Sequence, residues 1–320
     1  MSATDDLLHA CDERDLDGAL AALAADADPN AKTGDGVPVL QVAIRRTWKK
    51  LVSQLVAAGA NVNATDGEGH TALHELAESL PDLTLAALLL DKGAAIDQRD
   101  TSDTDGRSAL HRAVVRPKLD LAGFLLDRGA NIEIRESYRG NPPLLALVAS
   151  KSGEMSKTEL ANARWLIERG ADIDGANESG GTPLHEAART SREMTLHLLE
   201  KGAKVATTRR GWTPLFHAVY STRARDAAIW DALIEAGCDV NHTDAEGETP
   251  LHIAQTCWNV TAVTYLLRKG ADPTRKDKDG HTALDRAIGL NQTKIIKPLQ
   301  AAAKPPKPPK APKPPVGHQP

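Results

Sequence analysis

A short string, Thr-Pro-Leu-His or a close edit of it, recurs along this chain at nearly even intervals, and no other feature limits the possible folds so strongly. It reads ThrProLeuHis at 182–185 and 249–252, ThrAlaLeuHis at 71–74 and SerAlaLeuHis at 108–111. Around its plainest copy, Gly180 to Val205, local physics is easy to read. Thr182 suits a helix cap, and Pro183 suits the first helical position, where a missing amide hydrogen costs nothing. Leu184, Ala187 and Ala188 then form an apolar stripe at helical spacing, with alanines small enough to admit a neighbouring helix. After a short turn Met194, Leu196, Leu198 and Leu199 start a second helix, which Gly202 ends by tolerating a left-handed backbone. Two helices of this size are marginal alone, so the unit requires copies of itself.

The copies supply a resemblance. GTPLHEAA, ETPLHIA from Glu248 to Ala254 and HTALHELA from His70 to Ala77 resemble the signature of ankyrin repeats, whose period is about 33 residues. The resemblance covers nearly all of residues 4–303. It implies an all-α solenoid of stacked antiparallel helix pairs joined by hairpin-like loops, and it implies protein binding as the class of function.

The repeats are unequal. Residues 4–31 read as an N-terminal cap, with Thr4, Asp5 and Asp6 opening a helix and Leu16, Leu20 and Leu23 supplying the second stripe. Internal repeats occupy 35–273. In the first of them, Val39 and Gln41 replace the usual Pro and His. The loop before the third repeat is long and acidic, with Asp97, Asp100, Asp103 and Asp105; lacking an acid at Thr101 and a Glu at Arg112, it reads as a solvated, enlarged hairpin rather than a calcium loop. The fourth repeat departs most, with Pro142-Pro143-Leu144-Leu145 in place of the signature and extra polar residues from Ser150 to Thr158, read as a loop. Residues 279–303 replace the signature His by Asp285 and read as a C-terminal cap. The array, 1–303, is one continuous unit.

From Lys304 the composition shifts: eight of the nineteen prolines fall in residues 304–320. This segment is expected to be a disordered, extended polyproline II tail, open to three roles: a ligand for an aromatic-grooved domain, a tether to an anionic surface, or a solubilising end. Its four lysines and lack of acids leave −8 on the array, against −4 for the whole chain. Nucleic acid is therefore a poor partner for the array. Cys11, Cys238 and Cys257 show neither metal spacing nor a disulfide framework. With no apolar run of membrane length and no leader-like start, a soluble, cytoplasmic monomer is expected.

His74, His111, His185 and His252 invite a metal reading. One per repeat, they form a ladder without cysteine or carboxylate at ligand spacing, and in the family resembled this His serves packing. Neither a cofactor nor a metal is expected, and no nucleophile elbow or phosphate-cradling motif suggests an enzyme.

Binding positions follow from the resemblance, which implies contacts from hairpin tips and inner-helix ends on the concave face. In the fourth to sixth repeats these hold Tyr138, Arg139, Arg189, Arg209, Arg210, Trp212, Tyr220 and Arg223. The flanking repeats hold Glu68, His70 and Glu78 on one side and Glu246 and Glu248 on the other. Arg, Tyr and Trp are the types enriched at interface hot spots, and the family pattern points Trp212 away from the core. The competing reading stacks the rings on neighbouring hairpins and pairs the arginines with Glu178 or Glu136. The leading expectation is a non-enzymatic scaffold binding a protein partner of acidic or mixed surface. Its alternatives are a sensor for a phosphate-bearing small ligand or oligonucleotide, and an inhibitor or immunity protein blocking one enzyme or toxin.

Overall fold

The structure, a computed structural model, describes residues 2–79, 82–101, 106–117, 119–149, 155–221 and 226–303. Within them the chain forms nine helix pairs. The first five are α1 (Ala3–Glu13) with α2 (Leu16–Ala24), α3 (Val39–Arg45) with α4 (Lys49–Ala57), α5 (Ala72–Glu78) with α6 (Leu83–Asp91), α7 (Ala109–Ala113) with α8 (Asp120–Asp127), and α9 (Pro143–Val148) with α10 (Lys157–Glu168). The last four are α11 (Pro183–Thr190) with α12 (Arg192–Glu200), α13 (Pro214–Tyr220) with α14 (Ala227–Glu235), α15 (Pro250–Thr256) with α16 (Val260–Arg268), and α17 (Ala283–Gly289) with α18 (Thr293–Ala302). Each odd-numbered inner helix packs on the inner helix of the next pair, and the even-numbered helices stack outside them.

The alanines of the repeat explain why short helices suffice. Ala43, Ala77, Ala113, Ala187, Ala188, Ala218, Ala254 and Ala287 are all buried, so inner helices approach closely and the leucines between them fill one continuous core. Thr182 caps α11 and Pro183 is its first residue, as the sequence predicts. Leu196 departs from expectation: it lies on the outer face of α12 and is exposed, leaving Met194 and Leu198 as the buried stripe.

At the ends of the array, local chemistry overrides the repeat. Ser2, not Thr4, caps α1, through a reciprocal pair with Asp5, while the Thr4 hydroxyl accepts the Asp28 amide at 2.9 Å. In α2 the buried residues are Ala19 and Ala22, with Leu16, Leu20 and Leu23 half-buried against the core. In the fourth repeat the expected loop is shorter than its polar composition suggests. Ser156 caps α10 in a capping box with Glu159, so Lys157 and Thr158 are helical; Ser150 to Glu154 lie outside the described residues. The 304–320 tail, Asp103 and Asp105 also lie outside them. Asp100 is not solvated: it is buried and its carboxylate accepts from Arg112 at 2.5 Å.

Candidate interaction surface

The loops between pairs form one hydrogen-bonded edge. Amide to carbonyl, Thr101 bonds Glu68 at 2.9 Å, Ser137 bonds Gly106 at 3.3 Å, Glu178 bonds Arg139 at 3.0 Å, Arg209 bonds Ser179 at 2.8 Å, Ala245 bonds Arg210 at 2.8 Å and Lys278 bonds Glu246 at 3.0 Å. Glycine makes the approach possible. Gly180 and Gly211 have φ of +80° and +85°, and a Cβ on either would sit 3.1 Å from backbone atoms of the next hairpin.

A second row of bonds runs beneath this edge. The Thr182 amide and hydroxyl donate to His185 Nδ1 at 3.1 and 2.8 Å, so Nε2 carries the hydrogen and donates to the Trp212 carbonyl of the next hairpin at 3.0 Å. His74 reaches the Arg107 carbonyl, His111 that of Asn141 and His252 that of His281 in the same way. The histidines thus clamp hairpin to helix, as the resemblance implies. Burial holds the imidazoles neutral, with His74 and His111 pushed down to about 4. Gln41 does the same work where the His is missing: its Nε2 donates to the Ala64 and His70 carbonyls. Asp285 instead closes a capping box with Thr282. Leu145 and Phe216 fill the remaining two positions with apolar side chains, both fully buried.

Phe216 is where the fifth and sixth repeats diverge, and the aromatic residues collect there. Trp212 stacks near Phe216, His217 and Tyr220, with ring centroids 5.8, 5.5 and 5.4 Å away, and the Arg210 guanidinium lies 4.9 Å above its ring. The Trp212 indole N–H donates to the Asp244 carboxylate at 2.9 Å. The ring expected to point into solvent is therefore half-buried against the core. The ring borders a cleft of about 540 Å³ lined by Glu178, Glu186, Arg209, Arg210, Trp212 and His217. Burial pushes His217 down to about 3, so the cleft wall is neutral there.

The arginines are pinned differently from either expectation. Arg189 folds back on Glu186 at 2.8 Å. Arg210 faces Asp244 at 3.8 Å and Glu248 at 3.7 Å. Neither pairs with Glu178 or Glu136; Glu136 instead faces Arg107 at 3.6 Å and accepts from Asn141. Arg209 is exposed and makes no ion pair among the described residues. Tyr138 and Arg139 stack on each other, 5.4 Å from cation to ring, in a separate cleft of about 230 Å³ with Glu136, Ala146 and Ala149. The sequence-read patch is thus two clefts, one at the fourth repeat and one between the fifth and sixth. Tyr220 joins the second through Trp212, and Arg223 lies outside the described residues.

The flanking acids are largely engaged. Glu78 pairs with Arg112, and Glu248 is shared by Arg210 and Arg286. Asp277, Asp279 and His281 bring ligand atoms together, but Arg286 Nε and Nη2 both hold Asp277 Oδ2, at 2.7 and 2.5 Å, and the His281 amide donates to Oδ1 at 2.8 Å, leaving the carboxylate committed to these partners. Cys11 and Cys238 are buried and Cys257 half-buried, and burial raises all three thiols, Cys238 to about 11. Among the described residues no helix is long and apolar enough to cross a membrane.

Sequence reasoning missed Trp258, whose ring is exposed at the end of α15. A signal was present: it stands at the turn position that Thr47 and Asn291 occupy in the first and eighth repeats.

Helix pairs clamped side to side, with a hydrogen-bonded hairpin edge along one face, define a repeat solenoid that presents an extended surface. The chain belongs to the ankyrin-repeat family. The family model for ankyrin repeats (3 copies) matches residues 7–100, 110–209, 145–244 and 223–307. The chain is similar to NF-kappa-B inhibitor zeta of Bos taurus, 27% identical over 279 residues that cover 83% of this chain and 32% of that protein. It is also similar to Rabankyrin-5 of Homo sapiens, 33% identical over 39% of this chain and 12% of that protein. To the nuclear factor NF-kappa-B p105 subunit of Gallus gallus it is 34% identical, over 47% of this chain and 14% of that protein. The chain thus spans about a third or less of the length of these relatives.

Proposed function

We propose that the chain is a non-enzymatic scaffold that binds a protein partner of acidic or mixed surface at the concave side of its middle repeats. The observation that carries this reading is the cleft between the fifth and sixth repeats. There an indole pinned by Asp244 and topped by the Arg210 guanidinium lines the cleft, and Arg209 stands beside it without an ion pair among the described residues. An aromatic held rigid in advance loses little entropy on binding, and an Arg at its rim gives orientation. The names of the relatives that pair inhibitor or subunit with a partner protein fit the same class of activity.

The reading of a phosphate-bearing ligand is less well served, because Asp244 and Glu248 stand 3.8 and 3.7 Å from Arg210 and set negative charge beside the cleft. Salt separates the two. A phosphate-dominated ligand loses affinity steeply with salt, whereas a protein interface with an apolar centre loses it modestly.

The test is partner capture from native cells by the full chain and by an Arg209→Glu, Tyr220→Ala variant, which spares the half-buried Trp212. Both side chains are exposed, so the fold is expected to survive. Loss of the captured partner, with affinity down about tenfold or more, supports the site. Undiminished capture by the folded variant rejects it.

A further inference from the structure

The turn that ends several inner helices closes on a residue in the left-handed region: Arg14, Thr47, Trp258 and Asn291 have φ of 60°, 57°, 55° and 55°. Glycine or asparagine fills such a position at least cost, and a bulky side chain there is an outlier that asks for a reason. Trp258 finds none within the fold. Its ring is 58% exposed, and among the described residues no ring or cation stacks on it. Trp48, Trp165, Trp212 and Trp230, by contrast, each have such a partner.

Trp258 does not stand alone. Tyr220, at the end of α13, is 52% exposed, and Leu290, at the end of α17, is 56% exposed. These are neighbouring rungs. The Cys257 thiol lies 3.7 Å from the Tyr220 carbonyl, and the Gln255 and Gln292 side chains bond each other at 2.9 Å. The last three repeats therefore carry an apolar strip across the ends of three parallel inner helices.

The chain itself continues past this strip, from Lys304 to Pro320, with Lys at 304, 307, 310 and 313 and prolines between them. In a polyproline II conformation three residues make one turn of about 9 Å, so these lysines fall on one face. Stacked helices lie about 8–10 Å apart. The lysine period matches the spacing of the helix C-termini, whose unpaired carbonyls favour cations, while the intervening prolines suit aromatic side chains, as in other grooves that take proline-rich segments. Reach is sufficient. The chain leaves α18 about one helix length from Leu290, roughly 15 Å, and 304–320 can extend about 50 Å.

We propose that the strip of Tyr220, Trp258 and Leu290 is a docking groove whose occupant is residues 304–320 of the same chain. Prolines pack against the Trp258 and Tyr220 rings, and Lys side chains turn toward the ends of α13, α15 and α17. The groove is distinct from the cleft at Arg209 and meets it only at Tyr220, so this inference stands whether or not a partner binds there.

The test places the photoreactive residue p-benzoylphenylalanine at Trp258 in the full chain and maps the adducts by mass spectrometry. The expected adduct joins position 258 to the 304–320 segment of the same molecule, at a yield independent of protein concentration. It falls about tenfold when Pro305, Pro306, Pro308 and Pro309 are changed to Ser. Adducts elsewhere, adducts that grow with concentration and so come from a second chain, or a yield indifferent to the prolines each overturn the proposal. A second readout uses the natural Trp: acrylamide quenching of tryptophan fluorescence is expected to rise in the Pro→Ser chain, and unchanged quenching speaks against docking.

Discussion

Glu248 is gripped from two sides, and the two grips differ. From the eighth repeat Arg286 donates to it at 2.5 Å and to Asp277 at 2.7 and 2.5 Å, with only 24% of the arginine side chain exposed. From the sixth repeat Arg210 stands 3.7 Å away, 58% exposed, its guanidinium resting on Trp212. Toward the C-terminus the polar groups are closed into short hydrogen bonds that fix one repeat to the next. At the middle repeats the same residue types are held loosely enough to turn to something else. The lesson is that charge on the hairpin edge divides into clamps and reserves, and that distance and exposure separate the two where residue type does not.

The largest expected effect comes from breaking the clamps with acid. His74 and His111 stand near 4 in the fold, against 6.5 for the free imidazole, because burial disfavours their charged form. A depressed folded value means that the unfolded chain binds more protons. The stabilisation is therefore complete above pH 6.5 and is lost as the pH falls toward 4, by on the order of 3 kcal/mol for each of these two residues. Chemical unfolding followed by circular dichroism at pH 7 and pH 4.5 measures it. Gln41 supplies the control. Because it already makes the clamp with an amide, a His74→Gln, His111→Gln chain should stay folded and lose the share of the pH dependence that belongs to these two residues, keeping that of His185, His217 and His252, which burial also depresses. A slope as steep as that of the natural chain would show that groups other than His74 and His111 set acid stability.

Next in size is Arg286→Ala. It strands the Asp277 carboxylate, 1% exposed, with the His281 amide as its remaining bond among those described. Burial pushes that carboxylate's pKa up, but the His281 amide and Arg286 together hold it below the ordinary value. Removing one side of a buried pair is costly, here about 2–3 kcal/mol given the partial solvation of the arginine. The eighth repeat should fray first, visible as faster amide exchange in α17 and α18. Uniform loss of protection along the array would mean that Arg286 does not act as a local clamp.

The repeat itself is legible because its plainest copies state the same physics: a Thr or Ser cap, a Pro or Ala, a Leu, and at 74, 111, 185 and 252 a His that bonds the next hairpin. The clamps at His74, His111, His185 and His252 could be anticipated from the ankyrin-repeat resemblance, while their recurrence argued against a metal. The candidate site was harder, since its geometry depends on residues about 30 positions apart that no local pattern links. Nothing around Trp212 announces that Asp244 waits on the next hairpin to take its N–H, so an exposed ring was expected where a half-buried one is found. Arg189 is a different case: the sequence reading makes it a partner contact or a partner of Glu178 or Glu136, and overlooks Glu186, one turn earlier on α11, which holds it. Asp100 reads as solvated because its partner Arg112, 12 positions on, lies on the following helix.

The smallest expected change in stability is also the sharpest test of the division between clamp and reserve. Arg210→Ala removes two contacts longer than hydrogen bonds and one cation resting on a ring. Exposed ion pairs of this kind contribute about 0–1 kcal/mol, and the stacked cation about 0.5–1 kcal/mol where solvent reaches it. Asp244 keeps the Trp212 N–H and the amides of Glu246 and Glu248, and Glu248 keeps Arg286. No buried charge is therefore left alone. The unfolding midpoint should stay close to that of the natural chain, well above that of Arg286→Ala, while partner capture weakens. If Arg210→Ala instead destabilised the array as much as Arg286→Ala, both arginines would be clamps, and the free face of the middle repeats would have to rest on Arg209 and the indole alone.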